Sequence, residues 1–336
     1  MELTLLNMVL ALQPRGYAIH ILAPSGSSLP AAVSIEQMAG ELQVPAQHQT
    51  RDQPIVMPGN SVLANLWQRV RQVQQDYDLI LNFAYDWLPF YLTPFLSRPV
   101  AHLVSMASIS EVMDQAIATV LDQYPGSIGV YTRTQAATFP FGDRCVCLGS
   151  GLDLSLYEFC DTPDAAVCWL GRIAPEKGLE DAVAAVNVTR TPLKIMGQMQ
   201  DVAYWQQIQA EYPDAPVEYL GFLPTPEMQD HLRRCRALLL TSRWVEAFGN
   251  VVIESLACGV PVIAYDRGGP SEIVRHGQTG FLVTPDSVPD LIAALGQIEQ
   301  ISRWACRQQA EQEYSLEVYG DRVERWLTAV YRNYSS

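Results

Sequence analysis

The sequence predicts an α/β protein built from two doubly wound parallel sheets, and three observations carry this reading. Short runs rich in Val, Ile and Leu, apolar without strict alternation, recur along the chain, as expected of strands buried on both faces. The stretches between them have helical spacing and crossover length, for example Val62 to Gln75 and Pro226 to Cys235. With 336 residues, the chain is long enough for two cores.

Taken in order, Glu2–Leu12 reads as an amphipathic helix, with Leu3, Leu6 and Leu10 at helical spacing, followed by Arg15-Gly16. Strands are expected at Tyr17–Ala23, Leu79–Asn82, Val100–Val104, Ile128–Tyr131 and Arg144–Leu148. They continue at Val167–Leu170, Leu193–Met196, Val217–Leu220, Ala237–Thr241 and Val260–Tyr265. Asp161-Thr-Pro-Asp breaks the pattern, so a boundary is expected within Tyr157–Ala166. The divisions read from this are an N-terminal domain over 1–157, a C-terminal domain over 158–314 and a closing helix over 315–336. The opening helix is a crossover helix with no strand before it. Two readings stand: a decorative N-terminal helix, or a first strand and following loop absent from this chain, which would leave two unpaired edges inside the sheet. A signal peptide fits poorly, because the segment opens with Glu2 and has no basic start.

Composition narrows the function classes. The chain carries 22 Lys and Arg against 36 Asp and Glu, a net charge of −14. That argues against nucleic acid or an anionic membrane as partner, since both select clustered positive charge. Hydrophobic residues at 49% and charged residues at 17% fit an ordinary soluble globular protein. The longest apolar runs, such as Ala237-Leu-Leu-Leu, fall well short of the ~20 residues a membrane helix needs. Seven cysteines are scattered, with one CxC at Cys145 and Cys147 and no CxxC, so reduced thiols and a cytoplasmic location are expected. Five histidines without HExxH give no zinc signature, and no metal or cofactor is expected.

Two stretches carry chemistry. Val245-Glu-Ala-Phe-Gly-Asn-Val-Val-Ile-Glu passes from a strand through a glycine turn into a short helix. The N–H groups at Gly249–Val251 and the positive helix end suit a phosphate. Glu246 lies in the turn, and Glu254 sits in an almost wholly apolar helix, where a carboxylate is costly without a partner. Such a pair flanking an anion site could grip hydroxyls on both ends of a sugar diphosphate, although Glu246 alone would pass for a solvated side chain. The second stretch is Leu170-Gly-Arg-Ile-Ala-Pro-Glu-Lys-Gly, at a strand's C-terminal end where α/β ligands bind. From this loop Arg172 and Lys177 can supply the local cations an acidic diphosphate-binding protein needs. Taken alone, they could equally be incidental surface charges.

Together, GRIAPEKG, EAFGNVVIE and ACGVPVIAYDRGGPSEIVRHGQTGFLV resemble glycosyltransferase family 4, a retaining, nucleotide-sugar-dependent family with the GT-B fold. The turn Gly151-Leu-Asp-Leu adds to the likeness, which is stronger in the second half of the chain. The resemblance implies two Rossmann-like domains facing a cleft, with the final helix crossing back to the first. It implies that Arg172 and Lys177, beside Gly171, hold the donor diphosphate and stabilise the leaving nucleotide. Phe248, Gly249, Asn250 and Val251 would bind phosphate and sugar, Glu246 the sugar hydroxyls, Glu254 the ribose, and Gly221-Phe222-Leu223 the base. Arg172, Lys177 and Glu246 would be the catalytic set, with the leaving phosphate taking the acceptor's proton and neither protein nucleophile nor metal required.

Two features depart from the family pattern. A histidine common after the strand at Val100 is replaced by Ser105, His102 falling inside the strand as a core residue. The opening strand and glycine-rich loop of family members have no counterpart before Glu2. Asp76-Tyr77-Asp78 is a literal DxD, read as a turn before a strand and not as a metal site. For a small-molecule acceptor, Tyr85, Asp86 and Trp87 follow the strand at Leu79 and could line the first domain's cleft with Ser105, although aromatics at helical spacing more often pack. The run from Glu2 to Pro30 further resembles cyanobacterial enzymes that transfer glucose from UDP-glucose to tetrahydrobiopterin, making UDP-glucose the expected donor and a tetrahydropterin a candidate acceptor. The competing readings are a nucleotide-sugar epimerase of the same fold and an inactive protein that binds nucleotide without turnover.

Overall fold

The computed structural model describes residues 2–29, 33–44 and 51–335. The chain divides into two compact units, residues 1–149 with 319–336, and residues 150–318.

In the first unit, β1 (His20–Pro24) and β2 (Ser34–Met38) form a parallel two-stranded sheet. A second parallel sheet holds β3 (Ile80–Asn82), β4 (Val100–Leu103), β5 (Ile128–Val130) and β6 (Val146–Cys147) in that spatial order. The expected strands at Tyr17, Leu79, Val100, Ile128 and Arg144 are all present, the first shifted to His20–Pro24 and the others trimmed at their ends. β2 was not expected: Ser34-Ile-Glu-Gln-Met has one β-branched apolar residue and lies at a sheet edge, where only one neighbour constrains it.

Helix Val62–Val73 starts where the Ser61 side chain accepts from the Ala64 N–H at 3.3 Å. It packs on β1 and β2, while its Leu63 and Trp67 join Val100 and Ile80 in one apolar cluster. One helix thus covers part of both sheets. β4 and β5 are wholly buried, as central parallel strands should be, whereas β1 and β3 are mostly half-buried.

The second unit is regular. Its sheet orders as β12 (Gly280–Val283), β11 (Val262–Tyr265), β10 (Leu238–Leu240), β7 (Val167–Leu170), β8 (Leu193–Met196) and β9 (Val217–Gly221), all parallel. The chain's first strand here is central, the order of a Rossmann-like sheet. β10 and β11 are completely buried, and each leucine of Leu238-Leu-Leu contributes about 1.5–3 kcal/mol relative to an exposed position.

The closing helix, Leu316–Ser335, belongs to the first unit from Tyr319 onward, as expected of a helix that crosses back. There Trp326 Nε1 donates to the Gly126 carbonyl at 2.8 Å and Tyr334 OH to the Leu96 carbonyl at 2.9 Å. Arg15 bridges Asp321 and Glu324 at 2.7 and 2.8 Å, joining the opening helix Glu2–Leu12 to the closing one. Among the described helices none is long and apolar enough to cross a membrane.

Parallel pairing directs alternate residues to opposite neighbours. The Ile80 N–H bonds the Pro99 carbonyl at 2.9 Å, so Leu81 presents its amide on the side away from β4. The His102 N–H, by contrast, bonds the Ser127 carbonyl at 2.9 Å inside the sheet. Native-state hydrogen exchange should therefore find the Leu81 amide exchanging roughly tenfold or more faster than that of His102. Equal protection would show that another backbone segment covers β3.

Candidate active site

The site is assembled at the C-terminal ends of β7, β10 and β11 in the second unit. The loop 171–178 after β7 folds onto the end of β10. Gly178 adopts φ +63°, and a Cβ there would lie 2.1 Å from the Thr241 carbonyl oxygen, so no larger residue fits. Thr241 Oγ1 donates to the Gly178 carbonyl at 2.7 Å and accepts from Trp169 Nε1 at 3.1 Å. This seam aims Lys177 at the next loop, where its ammonium pairs with Glu246 Oε1. The pair is 15% and 14% exposed, and Ser242 Oγ donates to the same carboxylate oxygen at 2.7 Å.

Burial alone would push the Glu246 carboxyl up. The Lys177 ammonium, with hydrogen bonding from Lys177 and Ser242 and the Trp244 indole close by, more than reverses this and holds it below the usual glutamate range. The Glu246 backbone is equally fixed. Its carbonyl accepts from the Gly269 N–H at 2.7 Å, and Gly268 at φ +68° would place a Cβ 2.7 Å from the Glu246 backbone nitrogen and oxygen. The Gly-Gly-Pro turn after β11 therefore seats the Glu246 loop.

That loop runs through Gly249, at φ +94°, into the helix Asn250–Ala257. The first-turn N–H groups of this helix, at the positive end of its dipole, begin four residues after Glu246. Glu254 is buried within the helix and accepts from Tyr157 OH at 3.0 Å. Burial pushes the Glu254 carboxyl up, only partly offset by that hydroxyl, and burial likewise raises the Tyr157 phenol. Arg307 fastens the same corner from behind, donating to the Ala257 carbonyl at 2.7 Å and to the Tyr157 carbonyl at 2.8 Å. A cation at a helix C-terminus complements the dipole.

Arg172, from the same loop as Lys177, turns to Glu176 at 3.2 Å and to Gln200. Arg243 bonds Glu180 and Asp181 at 2.9 and 3.0 Å, and Arg267 bonds Asp286 at 2.6 Å. Each of these cations already has an acidic partner. Gly221 ends β9 and Phe222 and Leu223 follow it, two strands from β7 or about 10 Å across the sheet. Phe222 is 77% exposed there. Phe248 is buried edge-on against Tyr314, so only its backbone can reach a ligand, whereas Asn250 and Val251 are half-buried. Gly171 bonds through its N–H to the Met196 carbonyl at 3.0 Å, beside Arg172.

The expected acceptor residues lie in the first unit. Asp86 caps the helix Trp87–Leu92, accepting from the Leu88 N–H at 3.1 Å and from Gln43 Nε2 at 2.8 Å. Trp87 stacks on Tyr91 at 4.4 Å, and Trp87 and Tyr85 pack against the core that contains Phe90 and Met113. Ser105 is half-buried just past β4. His102 is fully buried between Asn82 and Thr93 at 3.1 and 2.9 Å, and burial lowers its pKa to about 3. Tyr77 of the DxD bonds His20 through its hydroxyl, and among the described residues no three His, Cys, Asp or Glu side chains are grouped to hold a metal ion.

Sequence reasoning missed Ser242, Trp244, Tyr157 and Arg307. Ser242 and Trp244 stood beside Glu246 and carried a positional signal. Tyr157 and Arg307 lie 97 and 50 residues from the groups they hold, Glu254 and Ala257, and carried none.

Residues 160–313 match the family model "Glycosyl transferases group 1". Among curated relatives, glycogen synthase of Mycobacterium tuberculosis is 33% identical over 159 residues, 44% of this chain and 37% of that protein. The D-inositol 3-phosphate glycosyltransferase of Nocardia farcinica is 29% identical over 223 residues, 59% of this chain and 48% of that protein. The chain thus spans less than half the length of either relative. Among solved structures, HepE of Anabaena in complex with UDP and glucose superposes with a TM-score of 0.73 at 17% identity, covering 93% of this chain and 100% of that one. AviGT4, a glycosyltransferase involved in avilamycin A biosynthesis, gives 0.71 at 19% identity over 96% of this chain and 88% of that one. The fold is that of GT-B glycosyltransferases, and the segment that matches the Glycosyl transferases group 1 model holds Arg172, Lys177, Glu246 and Glu254.

Proposed function

We propose that the chain is a retaining glycosyltransferase that moves a hexose from a nucleotide sugar, UDP-glucose, to a small soluble acceptor. The observation that carries this reading is the largely buried Lys177–Glu246 pair, with Glu246 four residues before the helix Asn250–Ala257 that holds the buried Glu254. The likeness to HepE of Anabaena, solved in complex with UDP and glucose, supports the choice of donor.

In this reading the diphosphate takes Lys177 and Arg172 from their present partners and accepts from the N–H groups at Gly249–Val251. Glu246, released from Lys177, accepts hydrogen bonds from sugar hydroxyls, and Glu254 accepts from the ribose. The bond from the sugar's anomeric carbon to the phosphate oxygen breaks, and the acceptor oxygen bonds that carbon on the same face. The acceptor's proton passes to the departing phosphate oxygen, giving a glycoside and UDP. Charge builds on the diphosphate as it leaves, where cations and a helix dipole can be placed in advance. The acceptor proposed is a tetrahydropterin, a choice that rests on the likeness of the opening segment. The chain's seven free cysteines suit a reducing, cytoplasmic setting.

Binding without turnover is the competing reading, favoured by the Arg172 contacts to Glu176 and Gln200. Calorimetry with UDP beside a product assay separates the two, because tight binding with no glycoside formed would remove the transferase.

Two variants test the roles. Lys177→Ala leaves Glu246 buried and unpaired, so it should lose about 3–5 kcal/mol of stability together with transfer. Adding Glu246→Gln should recover most of the stability and none of the transfer, as read by denaturant unfolding beside the product assay. A double variant with restored transfer would take Lys177 out of the chemistry.

Glu254 has a folded pKa above its usual 4.5, so the native state binds more protons in that window and stability falls as pH rises through it. Glu254→Gln removes this penalty. Its melting temperature should exceed the parent's by about 2–4 °C at pH 7.5 for each ~1 kcal/mol relieved, and match it near pH 4. UDP affinity should fall roughly tenfold through the lost charged acceptor. An unchanged affinity would move the ribose elsewhere.

A further inference from the structure

Trp244 is used neither by the expected site residues nor by the chemistry above. Lys177 Nζ lies 4.6 Å from the centre of its ring, within cation–π range. The indole nitrogen is buried and makes no full hydrogen bond, although it is near enough to Glu246 to help hold that carboxyl down. Its neighbours are pinned on both sides. The Arg243 N–H donates to the Glu176 carbonyl at 2.9 Å, the Arg243 side chain holds Glu180 and Asp181, and Arg267 donates to the Ser242 carbonyl at 3.2 Å. Two residues on, Glu246 is seated by Gly268 and Gly269. An aromatic ring on so restrained a segment is a fixed surface.

We propose that Trp244 is the positioning residue for Lys177: its ring keeps the ammonium in place when a diphosphate separates Lys177 from Glu246. This rests on the donor-site reading above. The argument is one of alternatives. A lysine has four rotatable side-chain bonds and is strongly hydrated, so as its carboxylate partner turns to a sugar and before the diphosphate is seated, a neighbouring surface is what keeps it from swinging into water. The ring accepts the ammonium without competing for the phosphate, because a quadrupole attracts a cation but carries no net charge. It also leaves the indole N–H as an unclaimed buried donor, available to Glu246 or to a ligand oxygen as the pair opens.

The composition of the chain makes this directly observable. Lys177 and Lys194 are its two lysines, so reductive methylation with ¹³C-formaldehyde labels those two side chains and the terminal amine. In the parent, the Lys177 methyl signal should be shifted upfield by the indole ring current, with Lys194 as internal control. Trp244→Leu should return it to an ordinary position, and Trp244→Phe should retain a smaller upfield shift. The ring-current shift should persist when UDP is added, even as the signal moves. By calorimetry, UDP should bind Trp244→Leu about five- to tenfold more weakly than the parent, with Trp244→Phe within about twofold of it.

An unshifted Lys177 signal in the parent would overturn the proposal. So would loss of the upfield shift on UDP binding, or equal UDP affinity in Trp244→Leu. Failure of Phe to restore affinity would also overturn it, by assigning the role to the N–H. If UDP leaves the Lys177 signal unmoved while its ring-current shift is present, the donor-site reading falls and the contact between ring and ammonium stands.

Discussion

A lysine and a glutamate that meet with little water around them constrain everything near them. Each charge would be expensive to bury alone, and the pair repays that cost only if its geometry is held and the remaining hydrogen-bonding capacity is filled. The second unit meets both conditions with separate elements. The Gly178 turn locks the Lys177 loop against Thr241, the Gly268–Gly269 turn seats the Glu246 backbone, and Ser242 fills the carboxylate. The three contributions come from the ends of β7, β10 and β11, all parallel and therefore all ending on one edge. A parallel sheet places such chain-distant loops together without further construction, which is why α/β sites gather there.

Under the proposed function, charge balance explains how so acidic a chain would hold an anion. At −14 overall, long-range attraction does not favour a diphosphate, so recognition must rest on local cations and backbone dipoles. Those cations are compensated one by one: Lys177 by Glu246, Arg172 by Glu176, Arg267 by Asp286. Compensation keeps the side chains ordered and lowers the cost of holding positive charge in a confined loop. It also makes binding an exchange of partners, and a carboxylate freed in that exchange becomes an acceptor for hydroxyls. An anion that also brings hydroxyl groups satisfies both halves of the opened pair, whereas inorganic phosphate satisfies one.

What could be seen in the sequence followed the range over which each feature is encoded. Strands such as Leu238–Leu240 and the spacing from Glu246 to Glu254 are local, and their apolar surroundings announce them. β2 was missed because Ser34-Ile-Glu-Gln-Met has little β character of its own and takes its conformation from pairing with β1. Trp244 was passed over for a different reason: an aromatic before a glycine turn ordinarily reads as packing, and its relation to Lys177 depends on two loops 67 positions apart. Tyr157 and Arg307 are positioned by tertiary contacts alone, so no pattern near either residue pointed to Glu254. Asp86 and Trp87 show the opposite case. Read as possible ligand contacts, they are engaged by a helix cap and by ring stacking, the work that short polar and aromatic residues most often do.

Glu254 shows where folding and recognition part. Replacing the carboxylate by an isosteric amide would spare the helix Asn250–Ala257 a buried charge, and the Tyr157 hydroxyl could still donate to it. Nothing in the packing of Val252, Ile253, Leu256 and Ala257 calls for an acid at that position. Arg307, moreover, is engaged by the Tyr157 and Ala257 carbonyls and by Glu311 and not by the Glu254 carboxylate, so the fold supplies that carboxylate with a phenol and not a cation. An acid left with a single weak partner retains acceptor capacity that a salt bridge would have consumed. Burial without neutralisation is what a site needs if the carboxylate is to bind hydroxyl groups strongly in a place that excludes competing water.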